Sequence, residues 1–169
     1  MPIVRVRCAT GVDGPVERGP LGIVVGMSPL AEWLRARSDE ALVALLRARP
    51  DLATPPPADT SVLATRVGVR SSVARACEDL DAFALSTLEA LVLLDADQAP
   101  VTLEAVAGML GGDITPPQAR RAVDRLRDLA LAWGDDDALA VPPAVREVLP
   151  TFPAGLGRRA EHLTEDAAK

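Results

Sequence analysis

The sequence predicts a mainly helical fold, and three observations carry that reading. Apolar residues make up 49 % of the 169-residue chain, yet aromatics make up only 2 % and tyrosine is absent. A core built from Leu, Val and Ala favours packed helices. Apolar residues also recur at three- and four-residue spacing through most of 28–150. Finally, that stretch is punctuated at helix length by start signals (Ser28-Pro29, Ser38, Asp59-Thr60, Thr102, Thr115-Pro116-Pro117) and stop signals (Gly68, Gly111-Gly112). The length fits one domain or two small ones.

Residues 1–26 show no helical period and are broken by Gly11, Gly14, Pro15, Gly19, Pro20, Gly22 and Gly26, which predicts a disordered or loosely attached extension. Met27 could itself be a start. Ser28 and Pro29 then open a short helix with Leu30, Trp33 and Leu34 on one face, ending near Arg37. Ser38 caps the next helix, with Asp39 and Glu40 in its first turn, Arg47 and Arg49 in its last, and Leu42, Leu45 and Leu46 as its buried stripe. Pro50 stops it, and Pro55-Pro56-Pro57 forms a stiff connector. In LATRVGVRSSVARACEDL, Asp59 or Thr60 caps a helix ending at Gly68, and Ser71-Ser72 open another with Val73, Ala76, Cys77 and Leu80. Helix, glycine turn, helix is the helix-turn-helix layout. Two packed helices in a bundle account for the same pattern.

Phe83 to Asp95 is apolar on nearly every side, with Glu89 the polar exception, and is expected to be the buried central helix. Thr102 caps a helix with Leu103, Val106 and Leu110. Thr115-Pro116-Pro117-Gln118 starts another at capping-box spacing, carrying Ala119, Ala122, Val123, Leu126 and Leu129. Leu131–Trp133 and Ala138–Val141 are short strand candidates around Gly134-Asp135-Asp136-Asp137, and Pro142-Pro143 opens a last short helix. Three helices, a hairpin and a helix give the order of a winged helix. The predicted fold is therefore a helical bundle with a winged helix-turn-helix unit and one small β-hairpin. The expected organisation is an extension over 1–26, a helical subdomain over 28–82, a winged-helix domain over 83–150, and a tail or the start of a further domain over 151–169.

Composition narrows the chemistry. Net charge is −6, with a pI of about 4.8, so the whole-chain basic field of most nucleic-acid binders is missing. Lys169 is the only lysine, which excludes a P-loop, Schiff-base or Ser-Lys lysine from any folded position. His162 is the only histidine, so neither a His-centred triad nor a multi-His metal site can be assembled. Cys8 and Cys77 are too few for a zinc site and suggest a reducing, cytoplasmic setting; Cys77 reads as packing. Asp95, Asp97 and Asp135–Asp137 lack EF-hand spacing and read as solvated loop acids, Arg158-Arg159 and His162 as tail residues, and Trp33 and Trp133 as core anchors. No apolar run reaches the ~20 residues of a membrane span, and the N-terminus lacks a signal-peptide h-region. No enzyme, cofactor or metal is expected.

The sharpest functional question concerns Thr115 to Val141. On a helical wheel Arg120, Arg121, Arg125 and Arg127 lie on the outer face, which makes them the candidate nucleic-acid contacts, followed by Arg66, Arg70 and Arg75. Asp124 and Asp128 lie among them, giving Arg120–Asp124 at i,i+4 and Arg121–Asp124, Asp124–Arg127 and Arg125–Asp128 at i,i+3, each worth only ~0.2–0.5 kcal/mol. The acidic tip adds three negatives where a wing would meet phosphate. Because non-specific DNA affinity is mostly phosphate neutralisation, weak binding is expected. A protein-interaction or dimerisation module on the same scaffold, without DNA binding, stays open.

SPLAEWLRARSDEALVALLRARPDLATPPPADTSVLATRV, RSSVARACEDLDAFALSTLEALVLL and the segment after them resemble the N-terminal part of actinobacterial helicase-associated proteins, described as having an XPB-like N-terminal or helicase C-terminal-like domain. LLRARPDL and PPP carry most of the resemblance, which spans 28 to about 150. It implies a helical, winged-helix region of a longer protein engaged in nucleic-acid transactions. The expected partners are DNA, a helicase-like protein or the remaining C-terminal part of the same protein, with a homodimer as a further candidate. It does not imply a helicase here, since no Walker A motif is present.

Overall fold

The structure, a computed structural model, describes residues 28–111 and 114–149. Among these residues the chain is mainly helical, as its composition requires. Helices α1 (Pro29–Arg35), α2 (Asp39–Ala48), α3 (Pro50–Ala53), α4 (Thr60–Val67) and α5 (Arg70–Glu78) are followed by α6 (Ala82–Leu93), α7 (Leu103–Leu110), α8 (Pro116–Asp128) and α9 (Pro143–Val148). The extension expected over 1–26 and the tail over 151–169 lie outside the described residues, as do Cys8, Arg158, Arg159 and His162.

Local chemistry sets most helix starts. Ser28 Oγ accepts from the Ala31 N–H at 3.2 Å and Ser38 Oγ from Ala41 at 3.3 Å. Asp59 accepts from Ser61 and Val62 at 2.8 and 2.9 Å, and Thr102 Oγ1 from Ala105 at 3.2 Å. Each satisfies donors that have no partner in the first helical turn. At α8 the Gln118 Oε1 accepts from the Thr115 N–H at 2.9 Å, the reach-back expected of its capping box. Asp81 caps α6 through Ala84 at 2.8 Å.

Three local expectations change. Pro50 does not simply stop α2. It opens the single turn α3, because a proline at the first helical position gives up a donor that has no partner anyway. Helix α5 begins at Arg70 with Val69 as its cap and no side-chain cap bond, because valine carries no acceptor; Ser72 falls inside the first turn and its hydroxyl bonds Asp51. The expected strands over 131–133 and 138–141 shrink to isolated antiparallel bridges. Trp133 pairs with Ala140 (N–H···O 2.9 and 3.0 Å), and Leu139 pairs with Val101, from the α6–α7 connection, at 2.7 and 2.8 Å. The connection through Gly134 is tight. Its φ is +93°, and a Cβ there would sit 2.0 Å from the Ala138 carbonyl oxygen.

Two hydrophobic cores hold the helices. One gathers Val73 and Ala76 of α5 with Leu88, Leu91, Val106, Val123, Leu126, Leu139 and Val145. The other gathers Leu30, Leu34, Leu45, Leu52, Leu63 and Val67 with Ala130, just past α8, and packs against Trp33 and Trp133. A fully buried Leu or Val contributes about 1.5–3 kcal/mol. Helix α8 and the turn just past it therefore link both cores. The ends of α8 and α6 are built alike. Asp95 (φ 61°) and Ala130 (φ 55°) are left-handed, and the next residue's N–H reaches back to Leu91 O at 3.0 Å and Leu126 O at 2.9 Å respectively. These are Schellman ends without their usual glycine.

Candidate nucleic-acid interface

Helix α8 buries Ala119, Ala122, Val123 and Leu126, which turns its arginines outward as the 3.6-residue period requires. What the arginines meet there differs from the pairing expected within the helix. Of the short-range pairs, Asp124–Arg127 forms, at 2.8 Å. Arg120 passes over Asp124 and pairs with Asp136 of the 134–138 connection. Arg127 reaches the same carboxylate at 3.1 Å. Asp136 therefore sits between two of the four candidate contacts, and the Arg127 side chain, 14 % exposed, is largely withdrawn from solvent. Asp135 and Asp137 remain exposed at the tip, with the Asp135 side chain accepting from the Asp137 N–H at 3.0 Å.

The C-terminal end of α8 is neutralised from the other core. Arg37, which lies 4.6 Å over the Trp33 ring, donates to Arg127 O at 3.3 Å and pairs with Asp128 at 3.6 Å. Arg49 donates to Leu129 O at 3.0 Å. Two guanidiniums thus meet the carbonyl end of the helix, where its dipole favours cations. Arg49 is 1 % exposed, and its charge is matched by Asp51 through bonds of 3.1 and 2.9 Å. It also donates to Ser72 O at 2.9 Å, and the Ser72 hydroxyl bonds Asp51. Burial alone would raise the Asp51 pKa. The hydrogen bonds from Arg49 and Ser72 and the Arg49 charge outweigh burial and hold it below the ordinary aspartate value. Sequence reading placed Arg49 in the last turn of α2 as a dipole partner. It is instead a buried tie between α2–α3, α5 and α8.

Arg121 and Arg125 are the two α8 candidates left exposed with no ion-pair partner among the described residues. They share a shallow cleft of about 300 Å³ with Gln118, Phe83 and Asp81, where α8 passes the start of α6. Arg66 donates to the backbone oxygens of Leu52 (3.0 Å) and Pro55, so it closes the α3–α4 connection and does not face outward as a phosphate contact. Arg70 and Arg75 are exposed on α5. Arg75 shares a cleft with Asp51, Arg66 and Ser72, separate from the Arg121–Arg125 cleft. The seven candidates therefore do not form one positive surface.

The loop acids after α6 also change role. Asp97, with a side chain 1 % exposed, and Asp95 both pair with Arg146 of α9, Asp95 at 2.7 Å. Arg146 further donates to Val92 O at 3.0 Å. Burial disfavours the Asp97 carboxylate, but bonds from Arg146 and Gln98 and the Arg146 charge hold its pKa below the ordinary value. Cys77 packs against the first core, and burial pushes its thiol up to about 11 against a small opposing effect of Arg49. Among the described residues no three His, Cys, Asp or Glu side chains are grouped to hold a metal ion, and no helix is long and apolar enough to cross a membrane. Comparison with protein-family models, curated proteins and solved structures finds no match to the chain.

Proposed function

We propose that this chain is a non-catalytic accessory module that positions a DNA-processing partner through protein contacts and touches DNA only weakly. The observation that carries this reading is Asp136. One carboxylate from the connection after α8 engages both Arg120 and Arg127, which holds Arg127 away from solvent and offsets the charge of the still-exposed Arg120. DNA affinity that rests on phosphate neutralisation falls accordingly. The scaffold reading is winged-helix: α6, the Val101 bridge, α7, α8, then the Trp133–Ala140 pair follow that order. The helicase-associated setting is part of the proposal and rests on the resemblance of residues 28–150.

A second reading, direct but weak DNA contact, is favoured by one feature: Arg121 and Arg125 are exposed and adjacent in one cleft. The test is duplex-DNA binding of the full chain at low and moderate salt, with and without Arg121→Ala and Arg125→Ala, alongside solution mass against concentration. Weak binding that disappears in the double variant and at moderate salt is the expected result. Tight binding that survives both changes overturns the proposal.

A further inference from the structure

An open groove of about 790 Å³ lies away from the arginines, between α1 and α4 on one side and the 96–100 loop and residues 133–143 on the other. We propose that it binds an extended, proline-rich segment of a partner protein that carries a cationic residue. The inference rests on the protein-contact reading above and gives that partner a chemistry.

Three observations point to this occupant. First, Trp33 and Trp133, the only tryptophans in the chain, both line the groove and both are partly buried. Arg37 covers one face of Trp33 and both rings pack on the second core, so each presents its remaining indole surface to the groove. Flat indoles that can donate to a ligand carbonyl suit a polyproline II helix, whose carbonyls are solvated and whose shape is already fixed. Second, the walls cannot add a β-strand. Trp133 and Ala140 are already paired with each other and the Val141 N–H is bonded to Ala96 O, while Pro100, Pro142 and Pro143 have no N–H to offer. A ligand recognised here must be read by side chains, not by a backbone ladder. Third, the charge on the wall is one-sided. Asp97 is answered by Arg146, whereas Glu32 is exposed and pairs with no described residue. A lysine or arginine on the ligand complements it.

Gly68 supplies a clean way to block the groove. It lines the wall with φ −76°, and a Cβ there meets nothing closer than 3.6 Å, so a larger side chain is accepted at the groove wall without straining the backbone. With no tyrosine in the chain, the two groove tryptophans dominate the fluorescence. The experiment titrates the full chain with a synthetic oligoproline peptide ending in arginine, the same peptide ending in glutamate, and an all-alanine counterpart. The expected result is a saturable shift in tryptophan emission with the arginine peptide. The shift should be lost in Gly68→Leu and in Thr65→Arg, and the affinity should weaken about two- to fivefold in Glu32→Gln, the worth of a rim ion pair. Absence of a saturable shift overturns the proposal, and so does equal binding of the alanine peptide or a shift that persists in both blocking variants. Self-association abolished by Gly68→Leu also overturns it, since a second copy would then be the occupant. Failure here with DNA binding still weak removes only the ligand class, whereas tight DNA binding removes the functional reading beneath it.

Discussion

Replacing Arg49 with methionine deletes a guanidinium that is 1 % exposed, takes the Arg49 donor from the Ser72 oxygens and the Leu129 carbonyl, and leaves the Asp51 carboxylate with only its Ser72 hydroxyl bond and no cation. Breaking a buried ion pair from one side costs about 3–5 kcal/mol, because the remaining charge is uncompensated. Asp51 keeps some solvent contact, its side chain being 13 % exposed, so the lower end of that range, about 3 kcal/mol, applies here. Against a typical stability of about 5–15 kcal/mol that loss is large. The assay is urea unfolding of the full chain followed by circular dichroism. Arg49→Met with Asp51→Leu removes both charges and is expected to recover most of the loss, as apolar replacement of a buried pair usually does. A loss below about 1 kcal/mol for the single variant, or a double variant no better than the single, would refute the role assigned to Arg49.

Other consequences follow from the same geometry. Gly134→Ala is expected to cost at least about 1–3 kcal/mol, because φ is +93° and the new Cβ meets the Ala138 carbonyl, whereas Gly68→Ala should be neutral or gain up to about 1 kcal/mol; paired urea melts check both. Asp97 has a depressed pKa, so its contribution is fully present above the ordinary aspartate value and is lost as pH falls through its lower folded value. Asp97→Asn should therefore be less stable than wild type at pH 7, and the gap should narrow below about pH 4 in thermal melts across pH. In a Cys8→Ser background, Cys77 with its thiol near 11 should react with a disulfide reagent at pH 8 far more slowly in the folded chain than in urea; equal rates would contradict its burial.

Signals that act within a turn or two of chain were legible in the sequence. Ser28, Ser38, Asp59, Thr102 and Thr115-Gln118 mark the helix starts because a cap needs only its own first turn. The buried face of α8 follows from periodicity for the same reason. What escaped depends on residues far apart in sequence. Arg49 meets Leu129, and Arg146 meets Asp95 and Asp97, across separations of 80, 51 and 49 residues, and no local pattern announces such pairs. Asp136 was visible as part of an acidic tip, but its inward turn toward Arg120 and Arg127 depends on how tightly Gly134 closes the connection. The Schellman ends at Asp95 and Ala130 were missed because neither carries glycine. Asp95 instead bonds Arg146, and the Ala130 methyl is buried in the second core. Glu89 was read as a polar exception on a buried helix. It is 1 % exposed, and its Oε2 finds no hydrogen-bond partner among the described residues.

The most direct measurement is anisotropy of a labelled DNA duplex titrated with the full chain and with Asp136→Asn over a salt series. If Asp136 holds Arg120 and Arg127, wild type binds weakly, with a slope of log affinity against log salt no steeper than about −1.8, the value for two phosphate contacts. Asp136→Asn then binds more tightly at low salt, with a slope moving toward about −2.7 as Arg120 is released while Arg127 stays paired with Asp124. A wild-type slope already near about −2.7, unchanged in Asp136→Asn, would contradict the internal compensation of α8.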